Sequence, residues 1–470
     1  MRVLVVGSGA REHAIAATLV RSGASIVSAG PRANLGIDPL AKATLRADPT
    51  VPAPVVAFGK SQRVDYAVIG PEAPLAAGLG DALRAADIPV VGPSKSGARI
   101  ETSKQFCREL LAKYGIPASP KFVAVHNADE VDARVAEFHG PFVVKPVGLT
   151  GGKGVWVQGV DFPGPSEGAA YAKKLLSGGG DGVLLEEKVE GEEFSLMAFV
   201  TDSGIYPMPL VHDYKRALEG DLGANTGGMG SFSQRDHLLP FVAPSMQERA
   251  FDVLRRTVEA LRQDGIPYRG ILYGGFQLTA GGPVLIEFNA RFGDPESLNV
   301  LPLYEEGDFD RLLYGVATGR VDPNLLTFRQ RATAVKYIVP PGYGTTPKAG
   351  AEVTLDLQNV GDDGVHVFFG DVDSKLPGKY TLGGSRGFAL VGEASAIHEA
   401  STRVEHALGF VTGEYYVRHD IATKDDLAKR TEHVRGLFVP GAKASPLPLS
   451  VAAPEAPPSS AAGPDQVLST

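Results

Sequence analysis

Cysteine is nearly absent from this chain of 470 residues: Cys107 is the only one. That excludes a disulfide framework and a thiolate metal cluster. No H-E-x-x-H and no zinc-ligand spacing occurs, so the common zinc chemistries lack their ligands. No strand-to-helix G-x-S-x-G elbow is read, and a serine nucleophile is not expected. No run reaches the ~18 apolar residues that cross a bilayer. The opening VLVV gives way to charge too soon for a signal-peptide core. Positive charge is not in excess, with 46 Lys and Arg against 54 Asp and Glu and a net charge of -8. That argues against a nucleic-acid partner. The expectation is a cytoplasmic protein that binds neither membrane nor nucleic acid. Glycine, by contrast, is abundant at 57 residues, and much of it gathers in a few loops.

The length implies two to four domains. VLVV (3–6), SIVSA (25–29), YAVI (66–69) and IPVVG (88–92) alternate with helical patterns at 11–22 and 74–87. This predicts a doubly wound parallel-sheet α/β domain over 1–100. A second unit, 101–325, opens with a Thr102/Gln105 capping box before Phe106, Leu110 and Tyr114 at helical spacing. Within it, KFVAV, a helix near 127–139, FVVK, VWVQ, a helix near 166–177 and VLLEE predict a small α/β subdomain over about 121–187. The strands EFSLMAFV (193–200) and IYPMPL (205–210), an amphipathic helix near 245–263 and a hairpin about Gly281-Gly282 follow. From 326 to 437, short strands with one helix near 394–408 predict a small α+β domain. The Pro/Ala/Ser-rich stretch 438–470 is expected to be disordered.

Five stretches carry candidate chemistry. GSGAREHA (7–14) follows the first strand, but Glu12 stands where a dinucleotide fingerprint needs its third glycine. The second strand ends SAGPR, without an acid for a ribose. What remains is either an anion site beside Arg11 or a plain tight turn. KPVGLTGGKGVWV (145–157) is not a Walker A loop, because Gly154 follows Lys153. It is either a phosphate-covering loop with Lys145 and Lys153 or a mobile hairpin tip. LLEEKVEGEEFS (184–195) offers Glu186, Glu187 and Val189 to a base edge and Glu193 to a ribose, or is a solvated acidic turn. HDYKR…NTGGMG (212–230) combines Asp213 and Lys215 with Asn225, Thr226, Gly227 and Gly228, a set suited to a zwitterion. VLIEFNARFGDPE (284–296) alternates an apolar face with Leu285, Glu287, Asn289 and Arg291. Glu287 and Asn289, with Gln277 on the neighbouring strand, are hard oxygen donors of the kind Mg²⁺ prefers. A buried ion pair is the plainer reading of that row.

Taken in order, GSGAREHA, GPEAPL (70–75), a helix at Lys104, KPVGLTGGKGV, EEKVEGEEFS, HDYKR…NTGGMG and IEFNARFGDPE resemble the phosphoribosylamine–glycine ligase family of the ATP-grasp superfamily. The resemblance runs from residue 1 to about 436, and KPVGLTGGKGV is closer to the archaeal branch. It implies an ATP-grasp fold and ligation of glycine to 5-phosphoribosylamine through glycyl phosphate in purine biosynthesis, with ATP and Mg²⁺ or Mn²⁺. An ATP-grasp ligase joining another carboxylate to another amine is the alternative. It further implies Lys104 and Lys145 toward ATP phosphates and adenine-side groups, with Lys153 also among the ATP-binding residues. Glu186, Glu187 and Val189 would meet adenine, and Glu193 the ribose. Gln277, Glu287 and Asn289 would hold the metal. Arg291, Asp213 and Lys215 would be catalytic, beside Asn225, Thr226, Gly227, Gly228 and Asp294. Gly9, Arg11, Glu12, Pro71 and Glu72 would face phosphoribosylamine. A monomer or homodimer is expected. Tyr214 stands where the family usually has His, and Ala224 where Pro is common.

Overall fold

The computed structural model describes residues 1–149, 154–305 and 307–438. Lys153 and all but the first residue of the 438–470 stretch lie outside the described residues. The N-terminal sheet is parallel, in the order Ala41–Arg46, Ser25–Gly30, Arg2–Val6, Tyr66–Ile69, Val90–Val91. The chain builds outward in one direction from Arg2–Val6 and then in the other. A crevice therefore opens at the carboxyl ends of the central strands. The edge strand Ala41–Arg46 escaped the sequence reading because its burial alternates instead of running continuously apolar. The helix expected at 74–87 is two, Glu72–Ala76 and Leu79–Arg84, parted by Gly78 at φ 86°. The expected Thr102 cap is also corrected. Thr102 ends one helix, Lys95–Thr102, and Ser103 caps the next, Lys104–Lys113, by accepting from the Phe106 amide at 3.2 Å.

The small subdomain is an antiparallel sheet in the order Phe122–Val125, Val183–Glu187, Phe142–Pro146, Trp156–Val157. It has its own core around Val125, Phe142, Val144 and Leu185. Its expected helix near 127–139 is only a 3-10 turn, Ala128–Glu130, running into Val131–Val135. Beneath it lies the antiparallel sheet Ile205–Pro207, Glu192–Val200, Gly270–Thr279, Gly282–Asn289, backed by the helix Pro244–Gln263. The strand expected over 205–210 stops at Pro207.

The third large sheet has the order His212–Asp213, Gly230–Ser233, Ala332–Ile338, Phe388–Ala394, Val365–Phe369. Its first two strands come from the segment read as part of the central unit, so Asp213 sits on a seam. A further helix, Lys424–Leu437, was not expected. Its buried residues are Arg430 and Val434, too few to leave an apolar periodicity. Arg430 anchors it by ion pairs to Glu192 at 2.6 Å and Asp221 at 2.8 Å, and pairs within the helix with Asp426 at 3.0 Å.

The N- and C-terminal units meet at His13. Its ring nitrogen Nδ1 accepts from the Phe369 amide at 3.0 Å, between the rings of Phe368 and Phe369. Burial lowers its pKa to about 4. An imidazole held neutral when folded binds fewer protons than the unfolded chain between pH 4 and 6.5, so acid withdraws stability in that window. Acidifying from pH 7 to 5 should cost about 2 kcal/mol through this one group. We expect His13→Gln, which keeps an acceptor but does not titrate, to flatten the fall of the thermal midpoint over pH 7 to 5. An unchanged pH profile in the variant would contradict this.

Candidate active site

A cleft of about 1390 Å³ runs between the small subdomain, the central sheet and the third sheet. Its floor is the hairpin Gly270–Thr279/Gly282–Asn289, joined by Ala280 and Gly281. The strict alternation expected along 284–291 does not hold. Leu285 pairs with Phe276 and Glu287 with Gly275, which leaves Ile286 bulged. A bulge turns the following residues to the other face. Leu285 is therefore fully buried, whereas Ile286 joins Glu287 and Asn289 on the cleft side.

A bulge also leaves carbonyls without ladder partners. Arg108, a residue the sequence reading did not single out, supplies them. It donates to Leu285 O at 3.1 Å and Ile286 O at 2.7 Å, and pairs with Glu186 through Nε at 2.5 Å. Lys145 binds the other Glu186 oxygen at 2.5 Å. Burial alone would raise the Glu186 pKa, but Arg108 and Lys145 outweigh it and bring it to about 2. The Glu186 carboxylate is therefore fully engaged, and its work is to aim Lys145. The Glu187 and Lys188 amides are engaged too, with the Lys121 and Pro141 carbonyls at 2.9 Å each. The edge a base would meet thus shifts toward Val189.

Glu287 lies in the field of Lys215, Lys145, Lys104 and Arg291. Burial opposes its ionisation, and these cations hold the carboxyl below its usual value. Lys104 reaches the Gly148 carbonyl at 2.9 Å. Gln277 Oε1 is buried, with no hydrogen-bond partner among the described residues. A charged carboxylate beside an unsatisfied amide oxygen suits a hard divalent cation whose other ligands come from phosphate and water. Asn289 Oδ1 accepts from Arg291 at 2.9 Å, and Arg291 also pairs with Glu101 at 3.1 Å and Glu72 at 3.7 Å. Arg291 thus ties the floor strand to the N-terminal unit.

Across the cleft, Asp213 is 5% exposed, and its Oδ1 has no partner among the described residues. Burial, then Glu296, raise its pKa well above the ordinary carboxylate value, against the pull of Arg386. Lys215 pairs with Glu193. Thr226 fixes the glycine loop by bonding the Lys215 carbonyl through its amide at 2.8 Å and its hydroxyl at 2.9 Å. Asn225 lies opposite Arg216 in the hairpin that contains Ala224. Gly228, at φ 107°, passes so close to Asp213 that a Cβ would lie 2.6 Å from Oδ1. Arg386, also missed from sequence, donates to Gly227 O at 2.6 Å and Gly228 O at 3.1 Å, and pairs with Asp294 at 3.2 Å. Asp294 additionally accepts from Tyr337 at 2.5 Å, so it serves Arg386.

Arg386 belongs to GGSRG (383–387), and GPSEG (164–168) has the same spacing. Both are G-x-S-x-G pentapeptides, but neither is an elbow. The first joins the strands Lys379–Leu382 and Phe388–Ala394, and the second follows a loop. Tyr214 turns away from the cleft. Its ring lies under the Arg430 and Arg418 guanidiniums at 4.5 and 5.1 Å, and its hydroxyl meets Asp426 and the Ala422 amide. At the N-terminal crevice, Glu12 folds back so that Oε2 accepts from the Gly9 amide at 2.6 Å and Oε1 from Arg11 at 2.6 Å. The helix N-terminus is capped by its own acid, the group that replaced the third glycine. Pro71 precedes the short helix that presents Glu72.

A family model described as the phosphoribosylglycinamide synthetase N domain matches residues 1–101, and its ATP-grasp (A) domain matches residues 102–297. The phosphoribosylamine–glycine ligase of Pyrococcus horikoshii is 42% identical over 439 residues, 93% of this chain and 98% of its own. That of Methanothermobacter thermautotrophicus is 45% identical over 442 residues, 93% and 100%. The crystal structure of the phosphoribosylamine–glycine ligase of Thermotoga maritima superposes with a TM-score of 0.75 at 27% identity, covering 89% of this chain and 100% of that one. A biotin carboxylase from Campylobacter jejuni shares the fold alone, with a TM-score of 0.70 at 13% identity over 93% of this chain and 98% of its own.

Arg108 makes a direct prediction. Arg108→Ala should cost about 3–5 kcal/mol, because it removes the donor to one oxygen of a buried carboxylate and to two carbonyls. It should also weaken ATP binding, because Glu186, no longer shared with Arg108, then holds Lys145 more tightly against a competing phosphate. Chemical denaturation and nucleotide titration check the two effects, and a variant as stable as the parent would refute the role given to Arg108.

Proposed function

This chain belongs to the phosphoribosylamine–glycine ligase family, in its archaeal-like branch, and on that premise we propose how the residues of its cleft divide the work. The protein joins glycine to 5-phosphoribosylamine at the expense of ATP, giving glycinamide ribonucleotide, ADP and phosphate, a step of purine biosynthesis. The observation that best supports our assignment of roles is the ring of Lys104, Lys145, Lys215 and Arg291 around Glu287, with the Asp213 carboxylate facing the same cleft.

ATP enters between the small subdomain and the floor, with adenine at the backbone near Val189 and the ribose by Glu193. Lys104, Lys145 and Lys153 neutralise phosphate charge. Glu287, Gln277 and Asn289 would hold Mg²⁺ or Mn²⁺, which would screen the phosphates and withdraw electron density from the transferred phosphoryl group. Glycine lies between Asp213, which takes its ammonium, and the cations Lys215 and Arg291, which take its carboxylate. The Asn225–Gly228 loop closes over it at backbone distance, and Asp294 acts there through Arg386. A glycine carboxylate oxygen displaces ADP from the γ-phosphorus, giving glycyl phosphate. The amine of phosphoribosylamine, lying along Gly9, Arg11, Glu12, Pro71 and Glu72, then attacks the acyl carbon and expels phosphate. Both steps are limited by charge and alignment, and neither requires a protein nucleophile.

The assignment is tested by ADP release with glycine and freshly generated phosphoribosylamine. Glu287→Gln is expected to lower kcat by about 10²–10³-fold, the usual loss when one preorganised electrostatic group is removed, with the thermal midpoint little changed. Asp213→Asn should raise KM for glycine more than KM for ATP. Turnover by Glu287→Gln close to that of the parent would remove Glu287 from the metal site.

A further inference from the structure

Phosphoribosylamine carries a phosphate dianion, and the crevice of the parallel sheet must hold it. The cations near that end of the cleft differ in what they have left to offer. Arg11 is 9% exposed and engaged by Glu12 and by the Phe292 carbonyl. Arg291 is held by Glu101, Glu72 and Asn289, and Arg386 by Asp294 and the Gly227 and Gly228 carbonyls. Arg32 is different. Its side chain is 43% exposed, it lines the same cleft, and among the described residues it makes one ion pair, through Nη1, to Asp371. A guanidinium has five N–H donors in a planar fork, so one carboxylate contact leaves most of them available.

Arg32 is also placed, and not merely exposed. It follows the strand Ser25–Gly30, at the carboxyl end where such sheets bind ligands. Two residues on, Asn34 is 1% exposed and bolts the loop down from both sides. It donates to Ser8 O at 3.1 Å in the glycine turn and to Phe369 O at 2.7 Å in the third sheet. It accepts from the Gly36 and Ile37 amides at 2.9 and 3.0 Å. Asp371 is fixed in turn by the Ser385 amide at 2.8 Å, next to Arg386, which donates to the glycine loop. The neighbouring acids are engaged, Glu12 by Arg11 and Glu72 by Arg291, while exposed Asp373 also faces Arg32.

We infer that Arg32, aimed by Asp371, binds the 5-phosphate of phosphoribosylamine and so sets the requirement for a phosphorylated ribose. This rests on the ligase reading above and deepens it. The sugar then spans from Arg32, at the outer wall of the crevice, toward Arg291, with its amine inward.

Phosphoribosylamine is labile, so the probe is ribose 5-phosphate, titrated into the full-length protein by calorimetry beside ribose and Mg-ADP. Arg32→Ala is expected to weaken ribose 5-phosphate at least tenfold and to leave Mg-ADP unchanged. Arg32→Lys should keep part of the affinity, since a point charge replaces a fork. Asp371→Asn should fall between the parent and Arg32→Ala. KM for phosphoribosylamine should follow the same order, with KM for ATP and glycine constant. The inference is overturned if Arg32→Ala binds ribose 5-phosphate, and uses phosphoribosylamine, within twofold of the parent. It is also overturned if the parent binds ribose as well as ribose 5-phosphate. Failure of the ligase reading would look different: the parent would release no ADP with both substrates present, whatever its affinity for the sugar phosphate.

Discussion

The site depends first on one buried cluster, Arg108–Glu186–Lys145. Glu186 lies on the last strand of the small subdomain, Val183–Glu187, Arg108 sits on the helix Lys104–Lys113, and the Leu285 and Ile286 carbonyls belong to the floor. One guanidinium therefore links three elements that would otherwise meet through loops. A buried pair of this kind adds little net stability over apolar packing, but it is specific about geometry, since every lone pair and N–H must be matched. Here the geometry is what matters. The cluster satisfies the bulge that places Ile286 and Glu287 on one face, and it holds Lys145 over that face.

The C-terminal unit enters the same construction from the opposite side. Arg386 supports the glycine loop from beneath, and Asp294 and Tyr337 hold Arg386. Tyr214, one residue from Asp213 and one from Lys215, has its ring held by the Arg418 and Arg430 guanidiniums. The two catalytic candidates therefore take their positions from a ring that never reaches the cleft. A residue that replaces a usual histidine inside a binding motif suggests altered chemistry. Here its ring and hydroxyl are engaged by Arg418, Arg430, Asp426 and the Ala422 amide.

This contrast explains what the sequence could and could not disclose. Motif residues on strands and tight loops could be assigned to one site through the order in which they resemble a known family, since their spacing alone left the plainer readings open. Glu287, Asn289, Asp213 and Lys145 all line the one cleft. The bulge at Ile286 was not legible, since alternation of apolar and polar residues looks the same with or without one extra residue. Arg108 and Arg386 were missed for a related reason. Each works by bonding backbone carbonyls far away in sequence, and carbonyls leave no trace in residue identity. Arg108 did carry one sign, a charged residue amid Cys107, Leu110 and Leu111, all buried on the same short helix. The helix Lys424–Leu437 was hidden because ion pairs anchor it more than apolar burial does.

One consequence of this arrangement concerns how polyanions bind. Most of the cations around the cleft already have a carboxylate partner: Lys145 has Glu186, Lys215 has Glu193, Arg291 has Glu101, Arg386 has Asp294 and Arg32 has Asp371. Without such partners, these cations would repel one another in a partly dehydrated space. With them, they are held in place before any ligand arrives, and a phosphate meets donors that need little reorganisation. The acids also prevent the cleft from acting as a general anion trap, because a ligand must match several fixed donors at once to outcompete water. Asp213 completes the pattern with the opposite sign. Among the described residues it is a buried carboxylate that forms no ion pair, and the ligand that satisfies it must bring a positive charge of its own. A substrate with an ammonium at one end and a carboxylate at the other meets both demands, whereas a simple acid leaves Asp213 unpaired. Discrimination in favour of an amino acid then follows from the cost of an unsatisfied buried group, more than from any contact with a side chain.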